Sequence, residues 1–226
     1  ADPATQTMRQ MAERVAVMKR VWAGENVTGA TLPVGPPPVQ KPHPPIYVAG
    51  VSAETVALAV RHRFPLLLSL EPNEERQIAV FRAELEKAGA DAGPLAASSL
   101  ARYVVTAASQ EAADAALDRL TEALNRRRTA RALSRGETPP PARDRAEMLA
   151  GYAVAGTPDA CRVQIEALIA RTGCHNLRCL FSANGLIPLP EAEAAMELFA
   201  AEIIPAFANY AVPPVPDFSI RKELTP

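Results

Sequence analysis

The residues Gly50-Val51-Ser52-Ala53-Glu54-Thr55 place two hydroxyls three positions apart behind a glycine. If this stretch opens a helix, Ser52 and Thr55 lie one helical turn apart. The free first-turn N–H groups and the positive end of the helix dipole then favour an anion such as phosphate. The same residues also read as a plain helix start, with Ser52 as N-cap and Glu54 in the first turn.

Cys174, His175 and Cys179 offer three metal-ligand types close in sequence. However, Cys179 lies on an apolar run and a fourth ligand is missing, so buried thiols are expected and no metal. His43, His62 and His175 are widely separated, without paired metal spacing. Seven arginines (126, 127, 128, 131, 135, 143 and 145) crowd a segment that also holds three consecutive prolines from Pro139. They read either as a lid meeting an anionic ligand or as a solvated loop. Asn184-Gly185 reads as a turn. No Ser-His-Asp arrangement, Walker loop or dinucleotide glycine fingerprint is present.

The elements that would position these residues follow from periodicity. Met8, Met11, Val15, Met18 and Trp22 recur at helical steps and predict an amphipathic helix ending at Gly24, its stripe packed in a core. Seven prolines between Pro33 and Pro45 predict a rigid extended connector. Strands are expected at 46–50, 64–70, 100–107 and 176–181. Helices are expected from Ser52, over 74–88, from Ser109 to about Asn125, from Thr157 to about Thr172, and over 190–208. Residues 126–150 are expected to form a mobile Arg-rich loop, and 211–226 a proline-rich tail. Alternation of strands with helices implies a parallel α/β sheet. Four such units are also half of an eight-stranded barrel, and a chain that opens directly in a helix suits the second half.

With 226 residues, 48% hydrophobic and a net charge of -1, the chain has ordinary globular composition and no field to attract nucleic acid. No run of about 18 apolar residues exists to span a bilayer. Three cysteines confined to 161–179 make no disulfide framework, and nothing at the start reads as a signal peptide, so a cytoplasmic setting is expected.

Several stretches resemble the flavin-dependent monooxygenases related to bacterial luciferase. Residues 156–161 (GTPDAC), 172–185 (TGCHNLRCLFSANG) and 196–205 (MELFAAEIIP) resemble the last helix, strand and helix of that family's barrel. Residues 47–69 resemble its fifth strand, phosphate-binding turn, helix and sixth strand. KPHPPI at 41–46 and Trp22-Ala23-Gly24 are also typical.

The resemblance implies a (β/α)8 TIM barrel of which residues 1–210 supply about the second half. It implies that Gly50, Val51, Ser52 and Thr55 hold the phosphate of FMN, with Ser69 and Leu70 at the strand end facing the cofactor. Val51 departs from the acidic residue of the luciferase α chain, and Leu70 from an aromatic. The implied reaction takes reduced FMN from a separate flavin reductase and oxygenates a small organic substrate through a C4a-peroxyflavin. The deazaflavin F420 is an alternative cofactor of related enzymes. Catalytic residues would lie in the family's first half, which has no counterpart here. Other readings are a truncated, non-catalytic flavin-binding protein, or a half-barrel completed by its missing half or by another copy in a homo-oligomer.

Overall fold

The computed structural model describes residues 3–27, 29, 35–50, 52–68, 70 and 74–209, of which 3–5 and 7–9 are described by their backbone alone. They fall into two units, residues 3–67 with 76–98, and residues 68–75 with 99–209. The expected tail lies outside the described residues.

The first unit is mainly helical. Helix α1 (Pro3–Trp22) ends as expected at Gly24, whose φ of +91° suits a residue without Cβ. Its apolar stripe differs from expectation: Met11, Val15 and Trp22 are only half-buried and Met18 is exposed. The rings of Trp22 and His43 lie 5.9 Å apart, joining the helix end to the 41–46 segment.

Two of the four expected strands are described as isolated bridge residues, with Val48 paired in parallel to Leu66. Val48 N–H donates to Pro65 O at 3.0 Å and Leu67 N–H to Val48 O at 2.9 Å. Pro44, Pro45 and Pro65 lack the N–H that a longer ladder needs. Ser98 Oγ instead accepts from Leu66 N–H at 2.8 Å and donates to Pro94 O at 2.8 Å. Helix α2 (Ala53–Arg61) follows the bridge, and α3 (Glu74–Lys87) ends at Gly89 as expected. A single turn, α4 (Gly93–Ala96), closes the unit. Val56, Phe64, Leu66 and Phe81 are fully buried in it.

The second unit is a parallel sheet of β1 (Ser99–Thr106), β2 (Ala153–Gly156) and β3 (Asn176–Leu180) in the order β2-β1-β3. Strands β1 and β3 match the expectation, and β2 is additional. Helix α5 (Gln110–Ser134) runs nine residues beyond the expected end at Asn125, and α6 (Arg145–Gly151) starts on an Asp144 cap. The Arg-rich segment expected as a loop over 126–150 is therefore helical at both ends. Arg126 pairs with Glu122 one turn back, and Arg128 donates to Asn125 Oδ1 and Pro141 O. Arg145 bridges Asp114 and Asp118, and the Arg143 guanidinium sits 3.6 Å over the Tyr152 ring. Arginine and alanine are strong helix formers, so the segment coils without an apolar stripe.

Helix α7 (Pro158–Thr172) starts on Thr157, whose side chain accepts from Ala160 N–H, and ends at Gly173 with φ +73°. Helix α8 (Leu189–Glu202) and a short 3-10 turn (Ile204–Phe207) end the described chain. Val105, Ala153 and Ala155 pack with Leu117, Leu120 and Met148 on one face, and Val104 and Val154 pack with Ile165 and Phe199 on the other. Helices thus cover both faces, which is why β1 is buried along nearly its whole length. Strands β1 and β3, expected to follow one another, pair directly in parallel, and the additional β2 lies along the other edge of β1. The described residues form an α/β sheet without closing a barrel.

One charge cluster is built into this unit. Glu74 accepts from Arg102, with both side chains at or below 5% exposure, and Arg171 reaches the same carboxylate at 3.0 Å. Arg102 also donates to Ala101 O at 2.8 Å, which satisfies a further donor.

Candidate functional site

The expected turn ahead of α2 forms within the first unit. Ser52 is in extended conformation (φ -75°, ψ 153°), and its Oγ accepts from Thr55 N–H at 3.2 Å. Ser52 Oγ and Thr55 Oγ1 lie 3.1 Å apart. Ser52 is exposed and Thr55 buried, so the hydroxyl pair runs from solvent to the interior. As at every α-helix start, the first N–H groups of α2 have no intrahelical carbonyl to bond.

Gly50 makes this geometry possible. Its φ is +151°, and a Cβ there would stand 2.7 Å from Thr55 Cγ2 and 3.0 Å from Thr55 Oγ1. The backbone passes over Thr55 only because residue 50 carries no side chain.

Glu54 reports the character of the turn. Its own backbone N–H, and secondly the Ser52 hydroxyl, hold its carboxyl below the usual glutamate range. The turn's donors thus already favour a negative charge, that of an exposed side chain that can swing away into water.

Sequence reasoning missed Gln77. It lies on the buried stripe of α3 with Ile78, Phe81 and Leu85, and is only 5% exposed. Its Nε2 donates to Gly50 O at 3.0 Å, while its Oε1 has no partner. An unpaired buried polar group costs about 1–3 kcal/mol, so leucine would be cheaper at this position unless something uses the oxygen. The available signal was a polar residue at a core position of the pattern EERQIAVFRAELEK.

The remaining expected residues are placed differently. Val51 and Ser69 lie outside the described residues. Leu70 is a half-buried bend residue of the second unit. The site brought together is therefore Gly50, Ser52 and Thr55, with Gln77 added. Burial pushes the Cys179 thiol up to about 11 and raises Cys161 as well, so both are poor thiolates. Among the described residues no three His, Cys, Asp or Glu side chains gather as a metal site, and no helix is long and apolar enough to cross a membrane. Ala183, Asn184 and Gly185 all have positive φ, a left-handed turn between β3 and α8.

A family model described as luciferase-like monooxygenase matches residues 1–176. A monooxygenase from Streptomyces bottropensis is 24% identical with a TM-score of 0.60, over 86% of this chain and 60% of its own. The coenzyme F420 dependent tetrahydromethanopterin reductase of Methanopyrus kandleri is 17% identical with a TM-score of 0.59, over 91% of this chain and 64% of its own. The oxygenating constituent of 3,6-diketocamphane monooxygenase from Pseudomonas putida, a type II Baeyer-Villiger monooxygenase solved in complex with FMN, is 18% identical with a TM-score of 0.53. There the match covers 86% of this chain and 62% of the other. At these identities the likeness establishes a shared α/β fold. The chain spans 60 to 64% of the length of these three solved proteins. No curated protein matches it.

Proposed function

The chain belongs to the luciferase-like monooxygenase family, and from that premise we propose that it holds the phosphate of a flavin cofactor for a flavin-dependent monooxygenase. The observation that carries this reading is the turn ahead of α2, where two hydroxyls 3.1 Å apart and a helix start meet beside a glycine whose backbone passes close over Thr55. These residues fit a phosphate monoester. Ser52 Oγ–H and Thr55 Oγ1–H donate to its oxygens, the N terminus of α2 stabilises its charge, and Glu54 gives way to it.

A bound reduced FMN, delivered by a separate reductase, would supply the electron pair that activates dioxygen for oxygenation of a small organic substrate. This chain's share is to bind the phosphate tail and thereby orient what lies beyond it. We further propose that the whole protein closes a (β/α)8 barrel. In it this chain contributes the four parallel segments at Val48, Leu66, β1 and β3, and the residues that touch the reacting atoms come from elsewhere. The likeness to the F420 dependent reductase supports a second reading, a deazaflavin oxidoreductase, which would use the same phosphate grip.

Opposed substitutions test the grip. Ser52→Ala and Thr55→Val should each weaken FMN binding about tenfold, the scale of one hydrogen bond to a charged group. Glu54→Gln should instead tighten it about two- to fivefold at low salt, because a like charge leaves the turn. Flavin fluorescence titration reads both directions. Equal affinity in all three variants would remove the phosphate from this turn.

A further inference from the structure

We infer that Gln77 Oε1 accepts a hydrogen bond from an alcohol hydroxyl carried next to the phosphate, so that the turn selects a polyol phosphate over a simple alkyl phosphate. The inference rests on the phosphate reading of the turn and goes beyond it by naming a residue that recognises the chain attached to the phosphate.

The orientation of the amide is fixed by chemistry. Gly50 C=O can only accept, so the amide nitrogen of Gln77 must face it, 3.0 Å away, and the oxygen is the atom left over. That oxygen is held near the turn, because the same amide is tied to the residue that roofs Thr55. It is also rigidly placed. Gln77 is buried to about the same degree as its neighbours Ile78 and Leu85 on the core stripe of α3, where side chains have little freedom.

An amide oxygen beside an anion site has a definite preference. It repels the phosphate oxygens, which at neutral pH mainly accept, and it rewards a donor. The phosphate partners, Ser52 and Thr55, already face each other through their hydroxyls. The donor that suits Oε1 is therefore a hydroxyl on the carbon chain esterified to the phosphate, as in a sugar-alcohol phosphate. The buried acceptor then gains a partner only when the correct ligand is seated, which makes it a device for selectivity.

The test is a cycle between ligand and protein. Glycerol 1-phosphate and n-propyl phosphate differ only by hydroxyls, and their affinities are read by NMR titration on the wild-type chain and on Gln77→Leu, with Gln77→Met as the second variant should the first not fold. Wild type is expected to prefer glycerol 1-phosphate about fivefold, and the preference should vanish in the variant. Loss of the bond to Gly50 affects both ligands alike and cancels in the cycle. A preference retained in the variant, or equal binding of both ligands to wild type as when a water occupies Oε1, would overturn the role of Gln77 and leave the phosphate grip standing. Binding of neither ligand would overturn the grip itself, and the inference with it.

Discussion

Glu74→Ala is expected to destabilise the second unit by about 3–5 kcal/mol, the range for removing one partner of a buried ion pair. The Glu74 and Arg102 side chains are 5% and 3% exposed, so the guanidinium left behind could not recover its hydration. The bond from Arg102 to Ala101 O satisfies one donor but not the charge. Arg171, at 38% exposure, also loses its partner, but water replaces much of that interaction. The converse is equally specific. Glu74→Leu with Arg102→Met removes both charges and should fall within about 1 kcal/mol of wild type, because apolar packing commonly matches a buried pair. Urea unfolding of the single and double variants measures both. A single variant as stable as wild type would mean that water reaches Arg102.

Gly50→Ala is the second large effect, expected to cost about 2–3 kcal/mol in stability, on the scale of backbone strain at a disfavoured φ with an added clash. Two causes act together. The φ of +151° is one that residues with a Cβ rarely adopt, and the new methyl would press on Thr55 Cγ2 at 2.7 Å. Thr55 cannot rotate cheaply, since it is buried, β-branched and bonded through its hydroxyl to Ser52. Phosphate affinity should fall with stability, because the Thr55 side chain that the methyl presses on carries one of the two hydroxyls. Thr55→Ser in the Gly50→Ala background removes the pressed methyl and should restore part of the stability but none of the φ strain. Thermal unfolding separates these contributions, and an unchanged midpoint in Gly50→Ala would show that the turn is not held in this conformation.

The helices were the most legible elements, and for local reasons. Thr157-Pro158 and Ser109 are capping signals read directly from residue type, and Gly24, Gly89 and Gly173 mark ends where the chain needs positive φ. The Arg-rich end of α5 was not legible, because ion pairs and intrinsic propensity hold it rather than an apolar stripe. Strand β2 hid in Ala153-Val154-Ala155-Gly156, too short and too small in side chain to stand out. The expected strands at 46–50 and 64–70 were overread, since an apolar run says nothing of the donors that nearby prolines remove.

The site divides in the same way. Ser52 and Thr55 were legible because an N-cap is a local motif. Gln77 was not, because its meeting with Gly50 joins residues 27 positions apart, a pairing that only the folded chain creates.

The most direct measurement is the affinity of the purified chain for FMN compared with riboflavin, which differ by the phosphate alone. Binding of FMN at least about 30-fold tighter, the scale of a few charge-assisted hydrogen bonds, is the predicted result. Equal affinity for the two flavins, or no binding of either, would contradict the assignment of the 50–55 turn as the phosphate site.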